Sequence, residues 1–477
     1  MLVLMGFAMV IPVIIAWGYG ESDLNGHIKS MILCIVIGIP IWFFTRNNRS
    51  LNSKDGFAIV TLAWLLVAFS GAMPFYFTGS IPNFTDAWFE SMSGVTTTGS
   101  TIIGNPQTLP NLPNGIESLT HGVLFWRSFL QWIGGMGIIV FTIAILPLLG
   151  VGGVQLFKAE VPGPVADKIR PRVKETAKIL WMVYIGFTIL QIILLGLNGM
   201  PWFDSVCHAF TTMPSGGFST QNASIAAYEN PVIHYIIIFF MFITGVNFAL
   251  HFRALTGKIG SYFKDSEFLT YFGVVVLATS FIFINISSNG GNWTHDNFLN
   301  SLFQSLAILT STGYSSTDYE LWPFFSQYML LILMFMGAMG GSTSGGLKLT
   351  RIILLVKYLA TETRRVLHSR AIIPIRIGNR FIGDDIIRNT LGFFLFYISI
   401  FTVTTFILSS LNLDLQSAIG AAASAIGNIG PAFGEFGPTN NYALLHPIGK
   451  WMLTFCMLLG RLEIFTIMVL FSRTFWK

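Results

Sequence analysis

The chain has 477 residues, of which 53% are apolar and only 10% charged, with a net charge of +5. Soluble domains carry about 25% charged residues. This composition therefore excludes a disordered chain, a fibrous chain and almost any soluble enzyme, and it indicates a membrane protein with many spans.

A spanning helix needs roughly 20 mostly apolar residues. Ten stretches qualify, near 1–18, 28–45, 57–77, 120–149, 178–198, 231–252, 268–286, 325–357, 391–411 and 448–472. The first lacks a basic leader and a clear cleavage site, so Met1–Trp17 reads as a span and not as a signal peptide. Basic residues follow every second span: Arg46, Arg49 and Lys54; then Lys158 through Lys178; then Arg253, Lys258 and Lys264; then Lys357 through Arg388; then Arg473 and Lys477. The alternate connections hold almost none. The positive-inside rule then places both termini and all basic connections in the cytoplasm.

The last four outer connections each hold an apolar stretch too short to span: Trp88–Val95, Trp202–Thr212, Phe298–Thr310 and Leu415–Ile426. Such lengths are often re-entrant. A Gly-centred run follows each one. The runs are Thr97-Thr98-Gly99-Ser100, Ser215-Gly216-Gly217-Phe218, Ser311-Thr312-Gly313-Tyr314 and Asn428-Ile429-Gly430-Pro431. The central glycines recur roughly every 100–120 residues, which reads as one unit repeated four times. The fold expected is all-α and integral to the membrane. It has four tandem units of helix, pore helix, loop and helix around one central pore, plus two N-terminal helices. The divisions are 1–50 for the addition, then 51–155, 156–262, 263–375 and 376–477 for the units.

Irregular backbone at membrane depth is tolerated only where it is buried in protein or lines a wet path. Four loops in one orientation can surround one axis and turn carbonyl oxygens inward, replacing the hydration shell of a cation. Taken singly, each run also reads as an ordinary turn between helices.

In the eighth span Gly337, Gly340, Gly341, Ser342, Thr343, Ser344, Gly345 and Gly346 interrupt the apolar pattern, and Lys348 follows. Such a cluster breaks a helix. It reads either as close small-residue helix packing or as a flexible loop crossing the pore. Arg127, Lys348 and Arg461 lie within spans, where an unpaired cation is expensive. Snorkelling accounts for Arg127 and Lys348 near span ends, but poorly for Arg461. A pair between Arg461 and Glu463 is weak, because i and i+2 point apart on a helix. An acid from another span remains an alternative. Eight acids, Glu117, Asp204, Glu229, Asp296, Asp318, Glu320, Asp414 and Glu435, fall on the outer connections and suggest a cation-concentrating vestibule. Cys34, Cys207 and Cys456 are scattered, the histidines show no metal spacing, and no nucleotide-binding motif is present.

The chain resembles the TrkH/TrkG/Ktr/HKT superfamily of potassium transporters, and within it the bacterial TrkH/TrkG branch. The resemblance rests on FESMSGVTTTGST (Phe89–Thr101), WRSFLQWIGGMGI (Trp126–Ile138), TTMPSGGFST (Thr211–Thr220), TSTGYSS (Thr310–Ser316), GGSTSGGLK (Gly340–Lys348), GNIGPAFG (Gly427–Gly434) and GRLE (Gly460–Glu463). It implies a potassium filter lined by Thr97, Thr98, Gly99, Ser215, Gly216, Gly217, Ser311, Thr312, Gly313, Asn428, Ile429 and Gly430. The fourth loop departs most, with Asn428 and Ile429. The resemblance also implies a gate made of residues Gly340–Gly346, Lys348 and Arg461, with Arg461 facing the pore below the filter. It implies a homodimer with one pore per protomer in the bacterial inner membrane. A cytoplasmic ring of TrkA-like, nucleotide-binding RCK subunits would dock on Lys158–Lys178 and Lys357–Arg388. Membrane lipid is the plainer partner for that last basic stretch. The transported ion is potassium; no organic cofactor on this chain, no nucleic acid and no enzyme activity are expected. A potassium symporter coupled to sodium or protons, and a solute carrier with broken helices, are the rivals.

Overall fold

The computed structural model describes residues 1–45, 53–104, 107–140, 169–290, 292–368, 373–378, 380–473 and 475–476. Within hydrocarbon every backbone N–H and C=O must be satisfied inside the segment, which selects helices. The described residues accordingly form helices almost throughout. Their one sheet is a two-stranded hairpin, Arg376–Ile377 with Arg380–Phe381. The chain is a multi-pass membrane protein.

Six helices are long and apolar enough to cross a membrane: Leu2–Tyr19, Leu24–Phe44, Asp55–Phe77, Ala177–Leu197, Ser266–Ser288 and Asp384–Ser410. Two bent pairs raise the number to eight. Two of the ten expected spans remain. The fourth is described as His121–Val140, and residues 141–149 fall outside the described residues. The eighth is split into Phe324–Phe335 and Leu349–Leu367 by the Gly-rich run. Arg46, Arg49, Lys158, Lys168 and Arg370 also lie outside the described residues.

The sequence predicts one span each at 231–252 and 448–472, and the structure bends both at a short break. Pro231–Thr244 and Phe248–Leu255 meet at 103°, and Pro447–Arg461 and Phe465–Phe471 at 107°. The first bend is marked locally by Gly245 as C-cap and Asn247 as N-cap of the next helix, and is completed by tertiary bonds. The carbonyls of Thr244 and Gly245, freed at the break, accept N–H bonds from Thr343 (3.3 Å) and Met339 (3.0 Å), while Phe248 N–H donates to Gly341 O (3.2 Å). Helix hydrogen bonds are thus exchanged for bonds to the Gly-rich loop.

Four units repeat the order helix, short helix, loop, helix. The short helices are Phe84–Val95, Trp202–Thr212, His295–Leu309 and Leu415–Gly427, matching the four apolar stretches in position. Their starts are locally encoded. Asn83, Thr294 and Asp414 accept N–H bonds from Thr85, Asn297 and Ser417 as N-caps. Asp86, Asp204 and Asp296 stand in first turns, where the helix dipole favours negative charge. Several of the acids expected to line a vestibule therefore serve as helix-start residues instead.

The N-terminal helices dock on the head of His121–Val140. Glu21 accepts the N–H groups of His121 (2.6 Å) and Gly122 (3.0 Å), and Asp23 accepts the Thr120 hydroxyl (2.5 Å). These bonds satisfy donors that a helix start leaves free.

Candidate functional site

Each short helix ends on a residue in the left-handed region that is not glycine: Thr97 (φ 52°), Ser215 (60°), Ser311 (55°) and Asn428 (53°). The next residue or the one after donates back into the helix, Thr98 N–H to Ser93 O (2.8 Å), Gly216 N–H to Thr211 O (2.8 Å), Gly313 N–H to Ala307 O (2.9 Å) and Ile429 N–H to Ser424 O (3.0 Å). This is a helix stop of the Schellman kind, where glycine is usual. A side chain there costs on the order of 1–3 kcal/mol. Asn428 tolerates this conformation more readily than Thr97, Ser215 and Ser311 do.

Gly99, Gly217, Gly313 and Gly430 follow, all with positive φ (86°, 77°, 70° and 109°). A Cβ on Gly99 would strike the carbonyl oxygen of Gly216, one on Gly217 that of Thr312, one on Gly313 that of Ile429, and one on Gly430 that of Thr98. Each glycine thus abuts the carbonyl just before the glycine of the next loop, and the fourth returns to the first. The loops form a closed ring around one axis, in chain order. A cavity of about 460 Å³ opens over the ring and touches all four glycines. Of the acids expected in a vestibule, Glu117 alone lines it, with Arg127 beside it.

The Gly-rich run, residues 336–348, closes on itself at the base, where Gly337 N–H donates to Leu347 O (2.7 Å). Its tip lies against the left-handed residues of the ring. Thr343 Oγ1 is 2.9 Å from Ser215 Oγ, and Gly345 N–H donates to Ser311 Oγ (2.6 Å). Asn428 Nδ2 donates to Thr98 Oγ1 (3.0 Å) and to Met457 O (2.8 Å). Thr97 Oγ1 is buried without a hydrogen-bond partner. Arg461, 2% exposed, donates from Nη1 to Thr343 O (2.7 Å). Among the described residues no carboxylate lies within ion-pair distance of it. Lys348 Nζ donates to the Ser344 carbonyl. The structure therefore brings Ser342–Gly346, Lys348, Arg461 and the ring together in one place.

Several residues here were not singled out by sequence reasoning. Glu267 accepts from Gly340 N–H (2.9 Å) and Thr350 N–H (3.1 Å), at the two ends of the loop. Glu463 pairs with Arg351 and not with Arg461, and the Arg351 guanidinium lies 3.9 Å over Phe393. Arg127 does not snorkel; it is 1% exposed and pairs with the fully buried Glu90 at 2.9 Å. An acid inside the otherwise uncharged run FESMSG was the available signal for that pair.

A sequence model of the TrkH family, described as a cation transport protein, matches residues 25–477. The chain belongs to the TrkH family. It is 39% identical to the Trk system potassium uptake protein TrkH of Salmonella typhimurium, with 100% of this chain and 97% of that one covered. It is 33% identical to the Trk system potassium uptake protein TrkG of Escherichia coli, over 99% of this chain and 96% of the relative. The crystal structure of the potassium transporter TrkH from Vibrio parahaemolyticus superposes with a TM-score of 0.90 at 35% identity, covering 100% of this chain and 97% of that one. The family is one of cation transport proteins, not of enzymes.

Proposed function

We propose that this protein takes up potassium across the bacterial inner membrane through the ring of four loops, with both termini in the cytoplasm. The observation that carries the reading is the closed ring, in which each glycine abuts the carbonyl before the next loop's glycine. A backbone ring of this kind can replace a cation's hydration shell. The names of its relatives, Trk system potassium uptake proteins, supply the ion. In this reading residues 1–50 are an N-terminal addition, and 51–155, 156–262, 263–375 and 376–477 are the four pore units. Thr97–Gly99, Ser215–Gly217, Ser311–Gly313 and Asn428–Gly430 form the filter.

The loop from Gly340 to Gly346, with Lys348 and Arg461, is the gate. A buried guanidinium on the ion path repels cations and must move for conduction. A homodimer and a TrkA-like nucleotide-binding partner complete the system, the partner docking on the basic connections that include Lys357–Arg388 and pulling on the helix Leu349–Leu367.

Reconstitution in liposomes tests the reading. Rubidium enters in preference to sodium and lithium, and Gly313→Ser relaxes that preference. Uptake indifferent to Gly313→Ser would return the loops to ordinary turns. Potassium uptake driven by a sodium or proton gradient alone would favour a symporter.

A further inference from the structure

The residue nine positions before each central glycine lies on the corresponding short helix: Glu90, His208, Gln304 and Ala421. The first three reach forward to a hydroxyl just past their own glycine. Glu90 accepts from Thr101 Oγ1 (3.0 Å) and from Ile102 N–H (3.0 Å). His208 Nε2 is 3.0 Å from Ser219 Oγ, and Gln304 Nε2 is 3.5 Å from Ser316 Oγ. Each of these loops is thus braced from behind by its own helix. The fourth has alanine there, and the Gly430 carbonyl is held instead by hydroxyls of Ser100 (3.0 Å), Ser424 (2.9 Å) and Tyr442 (3.0 Å).

Among the described residues the brace of the first loop alone includes an Arg–Glu pair, and that pair links it to the next loop. Arg127 pairs with Glu90 through Nε, donates from Nη1 to Ser219 O (3.1 Å) and from Nη2 to Thr101 Oγ1 (3.4 Å), and covers the Phe218 ring at 4.2 Å. One helical turn on, Gln131 donates to Gly216 O (2.8 Å) and accepts from Phe218 N–H (3.2 Å). One face of His121–Val140 therefore bridges the seam between the first and second loops. Among the described residues Glu90–Arg127 is the one ion pair with both side chains no more than 1% exposed.

We infer that Glu90 and Arg127 are positioning residues that set cation discrimination by fixing the spacing of the first and second loops. This rests on the reading of the four loops as the filter. A ring that replaces a hydration shell discriminates only if its spacing is held, and supporting contacts hold it. The guanidinium is suited to the task because its planar fork reaches a carboxylate and a carbonyl at once, which a lysine ammonium cannot do in the same geometry.

The test is the rubidium-to-sodium uptake ratio in liposomes at high ionic strength, where screening suppresses simple charge repulsion at the vestibule. Arg127→Lys keeps the charge and loses the fork. Glu90→Gln with Arg127→Gln removes both charges together, so no unpaired ion is left buried. Thr101→Val removes the hydroxyl that both side chains touch and is the mildest change. The ratio, compared among variants that still take up rubidium, is expected to fall several-fold in Arg127→Lys and in the double variant, and less in Thr101→Val. A parental ratio in all three, with Gly313→Ser relaxed, would overturn the inference and leave the filter reading standing. A parental ratio in Gly313→Ser as well would overturn both.

Discussion

Arg461 donates from Nη1 to the carbonyl oxygen of Thr343 at 2.7 Å. This bond ties the last long helix to the tip of the Gly-rich loop, and its partner is a backbone dipole and not a carboxylate. A dipole compensates a buried guanidinium less completely than an ion pair does.

If the proposed gate is right, Arg461→Met raises rubidium flux several-fold in the absence of any cytoplasmic partner, because the loop loses its tie to Thr343 and the proposed path loses a positive charge. Isotope uptake into liposomes holding the purified chain alone checks this. Flux equal to the parent's would remove Arg461 from the gate.

Glu267 anchors the same loop at its two ends. Glu267→Ala leaves the N–H groups of Gly340 and Thr350 without their acceptor. Unmade buried hydrogen bonds cost about 1–3 kcal/mol each. The expected outcome is a lower unfolding midpoint in detergent together with higher partner-independent flux. A lowered midpoint with unchanged flux would assign Glu267 to stability alone.

Glycines in the ring and in the helices should respond oppositely to alanine. Gly217→Ala drives a Cβ into the Thr312 carbonyl and forces an L-residue to hold φ 77°, so rubidium-over-sodium preference is lost or the protein fails to accumulate. Gly186→Ala meets nothing within 4 Å and sits in the interior of Ile169–Leu197. Relief of glycine's backbone entropy is worth roughly 0.5–1 kcal/mol in a helix, so its midpoint rises or holds and uptake is parental. Thermal unfolding and uptake on both variants make the comparison.

Two acids in the connections outside the spans give opposite pH behaviour. Hydrogen bonds from Ser417 hold the Asp414 carboxyl below its ordinary value. Its contribution to stability is present above the unfolded pKa and is lost as pH falls through the depressed folded value. Burial raises the Glu320 carboxyl, with Asp318 and Asp414 adding to the rise against the opposing Gly434 N–H bond. Its ionised form destabilises the fold above the raised value, and the penalty disappears as pH falls below the unfolded one. Asp414→Asn should therefore lower the midpoint at neutral pH, and Glu320→Gln should raise it. Both differences should shrink in acid, measured as unfolding midpoints across pH.

The sequence by itself determined the class of the protein, the approximate spans, the four short helices and the four glycines. Those features are local. Hydrophobic length, cap residues such as Asn83 and Asp414, and glycine at positive φ are each set by a few neighbouring residues. Four units around one axis were legible as a repeat, but the atoms that close the ring were not, because Gly430 meets Thr98 across more than three hundred positions of chain.

Only the tertiary structure decided the partners of charge and the bonds made at the breaks in helices. Arg127 reads as a span-end cation until Glu90 arrives from another helix, and Glu463 reads as a neighbour of Arg461 until Arg351 takes it. The helix from Pro231 sits in one long apolar run, in which Gly245 and Asn247 are the local signals of a break. It bends where Met339, Gly341 and Thr343 exchange backbone bonds with it. A buried charge or an interrupted helix is satisfied by whichever group the fold brings within hydrogen-bond reach, and sequence spacing does not carry that information.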